Sequence, residues 1–180
     1  MTGTLAWQPA AERPDLLAPP VASALAGAAW SGTTRVAEID PDLADTAAFC
    51  AAYGVAPEVS ANCVVLAAKR AGTTSLAACV VLAITRADVN RRARHELGAR
   101  KVSFAPVDRA VAATGMEFGG ITPVGLPAGW PVLVDAVVAA AGDVVVGSGL
   151  RRSKLLLPGA VLAGLADARV IDGLGVPVAG

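Results

Sequence analysis

Apolar residues in this chain occur as short runs separated by polar or glycine-rich turns. Two runs rich in valine and alanine, residues 63–68 and 77–85, flank the polar segment 69–74, a pattern typical of a β-hairpin. Both runs are apolar on both faces, so we expect the hairpin to lie inside a sheet. Shorter strands are expected at residues 33–39, as an edge strand, and at residues 102–104, 132–134, 144–146 and 155–157.

Helices are expected between these strands, because most of the intervening segments carry a recognisable start or stop signal. They are residues 42–53 ending at Gly54, residues 89–97 between an Asp88 N-cap and Gly98, a helix from Pro106 to near Gly115, a short helix starting at Asp135, and a last helix from Pro158 to Leu165. The first thirty residues form a variable arm, either loose or helical over the core. The mixed element order predicts one α/β domain over residues 1–180, with short helices around a mixed sheet.

Composition narrows the class of protein. Hydrophobic residues make up 54% of the 180 residues, and the longest uncharged stretches are residues 16–34 and 118–134. Both contain prolines, so neither is expected to span a membrane. Glu12 and Asp15 flank the lone Arg13 near the start, which is unlike a secretory signal. The three cysteines have no metal-binding spacing, and we expect free, buried thiols in a cytoplasmic protein.

Charge is distributed unevenly, although the net charge is zero. Residues 1–60 carry two basic and seven acidic side chains, whereas residues 61–120 carry nine basic and four acidic ones. Part of the excess lies on the expected helix 89–97, as Arg91, Arg92 and Arg94. This helix either contacts nucleic-acid phosphates or simply presents a solvated face.

Conventional catalytic side chains are scarce. His95 is the only histidine and has no serine or cysteine nucleophile near it in sequence, so neither a Ser-His-Asp triad nor a metal site is expected. No cofactor is expected either, because the glycine-rich segments 119–125 and 147–152 match neither a P-loop nor a dinucleotide fingerprint. Such segments can expose backbone N–H groups to an anion or a developing oxyanion, although a purely structural turn explains them equally well.

The order of several segments resembles the YbaK/prolyl-tRNA-synthetase-associated domain, a family of trans-editing aminoacyl-tRNA deacylases. The resemblance covers roughly residues 40–175. The segments that carry it are residues 97–105, 114–115, 119–125, 131–135 and 147–152. Within them, Gly120, Pro123 and Gly125 match the family's Gly-x-x-Pro-x-Gly loop.

This resemblance implies a central mixed, partly barrel-like sheet surrounded by short helices, and hydrolysis of the ester between an amino acid and the terminal adenosine of a tRNA. It implies that backbone groups of Gly119, Gly120 and Gly125 face the ester and that Asn62 orients the substrate. Substrate contacts are expected from Thr122, Pro123, Gly147, Ser148, Gly149 and Arg151, and tRNA contacts from Arg91, Arg92 and Arg94. The expected partner is the acceptor end of an aminoacylated tRNA, such as tRNA(Pro), that carries a small residue such as alanine, cysteine or serine; no membrane and no metal is expected.

One departure from the family pattern is important. Family members usually carry a lysine at the start of the strand that is here residues 63–68, and that position falls on Ala61 or Asn62. Lys69, Lys101 or Lys154 could supply the charge from another element. Three hypotheses therefore stay open: an editing deacylase, a non-catalytic tRNA or aminoacyl-nucleotide binding module, and a protein acting on a different small acylated or nucleotide-like ligand.

Overall fold

A long β-hairpin organises the fold. The structure, a computed structural model, describes residues 1–177. Strands β3 (Ala61–Arg70) and β4 (Thr73–Leu82) pair antiparallel along their whole length, and the turn between them is only Ala71 and Gly72. Both turn residues have positive φ, as two-residue hairpin turns require. The predicted hairpin is therefore confirmed, with longer strands and a shorter turn than the polar segment suggested.

The hairpin lies inside a five-stranded mixed sheet, as expected. Strand β6 (Lys101–Phe104) pairs antiparallel with β3, while β7 (Val132–Asp135) pairs parallel with β4 and β10 (Ala168–Ile171) parallel with β7. Strand β10 was not predicted, because it is a four-residue edge strand in which only Ile171 is buried.

A second, antiparallel sheet has four strands. Its order is β1 (Gln8–Pro9), β2 (Arg35–Glu38), β9 (Ser153–Pro158) and β8 (Asp143–Gly147). The expectation that β2 is an edge strand was wrong, since the two residues of β1 pair with it. A bridge between Ser60 and Val145 joins the sheets at one side, yet within residues 1–177 they do not close into a barrel.

Two apolar layers cover the two faces of the five-stranded sheet. Ala78 and Val80 of β4 contribute to the larger layer, which lies between the sheets and includes the helices α1 (Pro19–Leu25), α5 (Ala136–Ala140) and α6 (Gly159–Ala163). Cys79 and Val81 point to the other face and pack beneath Val89. This alternation follows from the period of two along a strand.

The helices follow the predicted order with shifted bounds. Helix α2 is Thr46–Tyr53 and ends at Gly54 with φ of 64°, as expected; a separate 3-10 turn, Pro41–Leu43, precedes it. The predicted helix began too early because the Asp40 side chain accepts from the Asp42 N–H and caps that turn instead. The predicted last helix was too long, since α6 ends at Ala163.

The basic helix has two parts. A π-helical turn, Val89–Ala93, continues into α3 (Arg94–Glu96), and the Asp88 side chain accepts from the Arg91 N–H at its start. Helix α4 (Val107–Thr114) begins after Pro106 and ends at Gly115, as predicted. The predicted strand 77–85 is divided, because the Thr85 hydroxyl donates to the Leu82 carbonyl in a turn after which Thr85–Ala87 (β5) pairs with Gly175–Pro177 (β11).

The first thirty residues include the helix α1, which packs on the core, so the helical one of the two arrangements expected for this arm is present. Leu16, Ala18 and Val21 are almost completely buried and belong to the layer between the sheets. No helix within residues 1–177 is long and apolar enough to cross a bilayer. The same residues contain no cluster of three or more metal-ligating side chains, and Cys50, Cys63 and Cys79 are free thiols.

Candidate active site

One cavity lies where the two sheets separate. Strand β6 pairs with β3 only from Leu66 onwards, so the first residues of β3 present a free edge toward β8. The resulting cavity has a volume of about 370 Å³. Its walls come from β3, β8, β9, the start of α2 and the glycine-rich turn, and include Asp45, Thr46, Ser60, Ala61, Asn62, Cys63, Gly119, Ile121, Val146, Gly147 and Lys154. Exposed Phe104, Val107 and Phe118 form an apolar rim.

Asn62 lies on the free edge of β3 and lines the cavity. The Thr46 hydroxyl donates to Asn62 Oδ1 over 2.5 Å, which orients the amide. Its Nδ2 group has no acceptor among residues 1–177, so both N–H donors are available to a ligand. Thr46 begins α2, and sequence reasoning did not connect it to the site because the contact joins residues sixteen apart.

The two glycine-rich segments pack directly on each other. The Gly149 N–H donates to the Gly120 carbonyl and the Glu117 N–H donates to the Gly149 carbonyl, each over 2.8 Å. A Cβ at Gly120 would lie 2.5 Å from the Leu150 carbonyl carbon, and one at Gly147 would collide with the Gly120 carbonyl. Close backbone approach therefore accounts for these glycines.

The three glycines expected to face the ester occupy different environments. Gly119 lines the cavity with φ of 82°, and its N–H has no acceptor among residues 1–177. Gly120 donates its N–H to the Glu117 carbonyl. Gly125 lies against Pro20 of α1, where a Cβ would come within 2.5 Å of the Pro20 carbonyl oxygen. Of these three glycines within residues 1–177, only Gly119 both lines the cavity and has an N–H without an acceptor.

Of the other residues predicted to contact the substrate, some line the cavity and some do not. Gly147 lines the cavity, whereas the buried Thr122, Pro123, Ser148 and Gly149 do not. The Ser148 hydroxyl is instead hydrogen-bonded to Ser153, 2.7 Å from its Oγ, which holds the loop to β9. The Thr122 hydroxyl is buried without a partner in the described part of the chain.

Arg151 lies beside the cavity rather than inside it. Its backbone N–H donates to Glu117 Oε2 over 2.6 Å, and its guanidinium is 3.8 Å from the Asp45 carboxylate. Asp45 lines the cavity and its side chain is 72% exposed, so this pair marks the opening. The Arg151 side chain is 31% exposed and its guanidinium also donates to the Phe118 carbonyl over 3.5 Å, so its remaining N–H donors are the ones that could meet an anion at the opening.

Arg91, Arg92 and Arg94 are exposed but do not line the cavity. Their helix packs through Val89 and Ala93 on the face of the sheet opposite to α1. Any contact of these arginines with a nucleic acid would therefore involve a part of that molecule away from the cavity.

Lys154 forms the deepest charged part of the cavity wall. Its side chain leaves β9 and its ammonium donates to the Ala44 carbonyl over 2.9 Å, 5.1 Å from the centre of the Phe49 ring. Burial lowers the pKa of Lys154 to about 8. Lys69 and Lys101, the two other lysines that could replace the family lysine, face each other across β3 and β6 and are exposed, seven or more residues along β3 from Asn62.

The cavity lies within the part of the chain that matches a known protein family. The model of the aminoacyl-tRNA editing domain matches residues 40–165, which contain every cavity residue named above. The chain belongs to the aminoacyl-tRNA editing domain family. The resemblance to this family that the sequence showed is thus confirmed. Ala61 and Asn62, the two positions where the family lysine would fall, both lie in the cavity wall.

Solved structures support the same fold for this editing domain. A protein proposed to be a trans-editing enzyme for prolyl tRNA synthetase aligns with a TM-score of 0.73 at 21% identity, over 86% of this chain and 94% of that one. The hypothetical protein APE2540 aligns with a TM-score of 0.70 at 22% identity, over 80% and 92%. These likenesses confirm the mixed α/β editing-domain fold. No curated protein sequence matches the chain significantly.

Proposed function

We propose that this editing domain hydrolyses the ester that joins a small amino acid to the terminal adenosine of a tRNA. The observation that carries the proposal is the cavity between β3 and β8, which lies within the family match and holds unused donors from Asn62 and Gly119. Ester hydrolysis passes through an anionic tetrahedral state, and one preorganised donor to that state typically contributes about 10²–10³ in rate.

The size of the cavity supports a small aminoacyl group. A cavity of about 370 Å³ is large enough for part of the terminal ribose together with an alanyl, cysteinyl or seryl group. Synthetases separate substrates that differ by one methylene by only about 1–3 kcal/mol, and such errors are the ones that require editing. The solved relative named for prolyl tRNA synthetase makes mischarged tRNA(Pro) the first substrate to test. Action on tRNA would place the protein in the cytoplasm.

A deacylation time course tests the proposal. Purified protein is incubated with tRNAs charged with alanine, cysteine, serine or proline, including alanine and cysteine on tRNA(Pro), and the remaining ester is measured. We expect hydrolysis of one or two of them well above the enzyme-free rate. The absence of a lysine at Ala61 and Asn62 favours the non-catalytic binding module as second candidate, and that candidate predicts tRNA binding with no hydrolysis of any substrate.

Two groups of arginines are expected to differ in their contribution to tRNA binding. Arg151 beside the opening would contact the acceptor end, while Arg91, Arg92 and Arg94 on the opposite face would contact phosphates farther along the tRNA. Each lost phosphate contact should reduce the slope of log affinity against log salt by about one. We therefore expect the triple alanine variant to reduce the slope by about two to three and Arg151→Ala by about one, measured by filter binding. An unchanged slope in the triple variant would show that the basic helix, residues 89–96, only presents a solvated face.

A further inference from the structure

Lys154 has an unusual environment for a lysine. Only 7% of its surface is exposed, and its neighbours across the strands are Gly147 and Ala37, whose small size leaves space for the long side chain. The ammonium has three donors but only one hydrogen-bond acceptor in the described structure, the Ala44 carbonyl. The remaining donors are next to the cavity that the Lys154 side chain lines.

No counter-charge neutralises this ammonium within the described chain. Among residues 1–177, no ion pair of 4.0 Å or shorter involves Lys154. The charged and titratable groups that face it are Asp45 and Cys50 from the start and the body of α2, and Arg151 from the loop before β9. A buried ammonium without a paired anion is unfavourable, although the Phe49 ring offsets part of the cost. Such a group in a cavity wall fits a ligand that carries or develops negative charge.

The position of Lys154 within the cavity selects which part of the substrate it meets. Asp45 and Arg151 mark the opening, where phosphates of an acceptor end can remain in solvent. Lys154 is only 7% exposed and lines the cavity away from that opening, which is the side on which an inserted aminoacyl ester would lie. Resting on the deacylase function proposed above, we propose that the Lys154 ammonium binds the carbonyl oxygen of the aminoacyl ester and stabilises the negative charge that develops on it.

Lys154 keeps its proton throughout the proposed hydrolysis, and water supplies the atoms that the two products gain. A water oxygen adds to the ester carbonyl carbon, and the carbonyl electron pair moves to the oxygen that the ammonium contacts. When that oxyanion collapses, the carbonyl re-forms and the bond to the ribose oxygen breaks. A proton from the attacking water ends on the ribose oxygen, so the products are the free amino acid and the tRNA hydroxyl. Gly119 and Asn62 donate to the same region, and Lys154 adds the full positive charge that their neutral N–H groups lack.

Lys154→Met tests the role, since methionine keeps an unbranched side chain of similar length and removes the charge. We expect kcat for the best aminoacyl-tRNA of the panel to fall about 10²–10³-fold while KM changes less than about threefold. Lys69→Met, at the exposed end of β3, is the matched control and should retain wild-type kcat. Thermal unfolding should show Lys154→Met to be at least as stable as the wild type, because it removes a buried charge.

The pH dependence gives a second readout. Because the pKa of Lys154 is about 8, the ammonium is present at neutral pH and is lost as the pH rises through about 8. The wild-type rate, divided by the enzyme-free rate of ester hydrolysis, should fall above that pH. Lys154→Met should not show this decrease, whereas a merely structural role for Lys154 would leave the two profiles parallel.

Analogue binding separates this inference from the proposed function. The probes are a phosphonate that mimics the tetrahedral state of alanyl-adenosine and the neutral amide analogue. We expect the wild type to prefer the phosphonate by at least tenfold and Lys154→Met to lose that preference. If the wild type hydrolyses its substrate and Lys154→Met retains more than a third of kcat, the Lys154 inference fails and the deacylase function stands. If the wild type hydrolyses nothing, the function fails; a phosphonate preference that depends on Lys154 would then still establish the anion site, and equal binding by the two proteins would overturn it.

Discussion

Gly147→Ala is expected to lower the free energy of unfolding by about 3 kcal/mol and to shift the thermal midpoint downward by several degrees. The added methyl group would collide with the Gly120 carbonyl and lie 2.8 Å from the Ile121 carbonyl oxygen. Both are backbone atoms of the neighbouring loop and cannot rotate away as a side-chain end could. Chemical denaturation followed by circular dichroism measures the change.

Gly142→Ala provides the matched control. Gly142 immediately precedes β8, whose last residue is Gly147, and no atom lies within 4 Å of the position that its Cβ would take. Its φ is also outside the left-handed region, so alanine should be tolerated within about 0.5 kcal/mol. Equal stability of the two variants would contradict the close packing of the glycine loops.

This pair of variants also bears on how glycine patterns are interpreted. From sequence, residues 119–125 and 147–152 were equally consistent with an oxyanion site and with structural turns. The structure assigns close packing to Gly120 and Gly147 and leaves Gly119 with an unused donor at the cavity. Loss of activity on substitution of Gly120 would therefore reflect folding as much as chemistry. A side chain at Gly119 would also be strained, because its φ is 82° and its Cβ would collide with the Arg151 guanidinium, so Asn62 is the position at which donor chemistry separates from folding.

Local signals predicted much of the fold. Runs rich in valine and alanine located the central hairpin, and glycines with φ of 64° and 66° end α2 and α4 where the sequence indicated. The two-residue strand β1 and the edge strands β10 and β11 have too few residues to show periodicity, and their pairing is decided by distant contacts. Propensity is a weak guide for such elements, because tertiary packing stabilises them.

The candidate site was less predictable, for a physical reason. Asn62 followed from the resemblance, but the cavity exists only because β6 joins β3 late and leaves its start unpaired. Lys154 precedes three leucines in an apolar strand, and sequence offered it only as one of three candidate lysines. Its register opposite Gly147 and Ala37 directs it into the cavity. The pairing of β9 with its neighbour β8 is local, but no local pattern encodes the pairing of β9 with β2, which lies far away in the chain.

Asn62→Asp is expected to reduce kcat by about 10²–10³-fold with little loss of stability. The aspartate keeps the shape of the side chain and an oxygen that can accept from the Thr46 hydroxyl. It replaces the two amide donors by an acceptor and places negative charge where the carbonyl oxygen of the substrate becomes anionic, which opposes the transition state directly. Single-turnover deacylation at saturating protein measures the effect without interference from product release.

Two further variants distinguish chemistry at Asn62 from positioning by its neighbour. Asn62→Ala removes the donors without adding charge, so its kcat should lie between those of the wild type and Asn62→Asp. Thr46→Val removes only the hydroxyl that orients the amide, and a positioning role predicts less than a tenfold decrease in kcat together with an unchanged pH profile. If Asn62→Asp were as active as the wild type, the donor role of Asn62 would be wrong, and the ester would have to meet Gly119 and Lys154 without a contribution from β3.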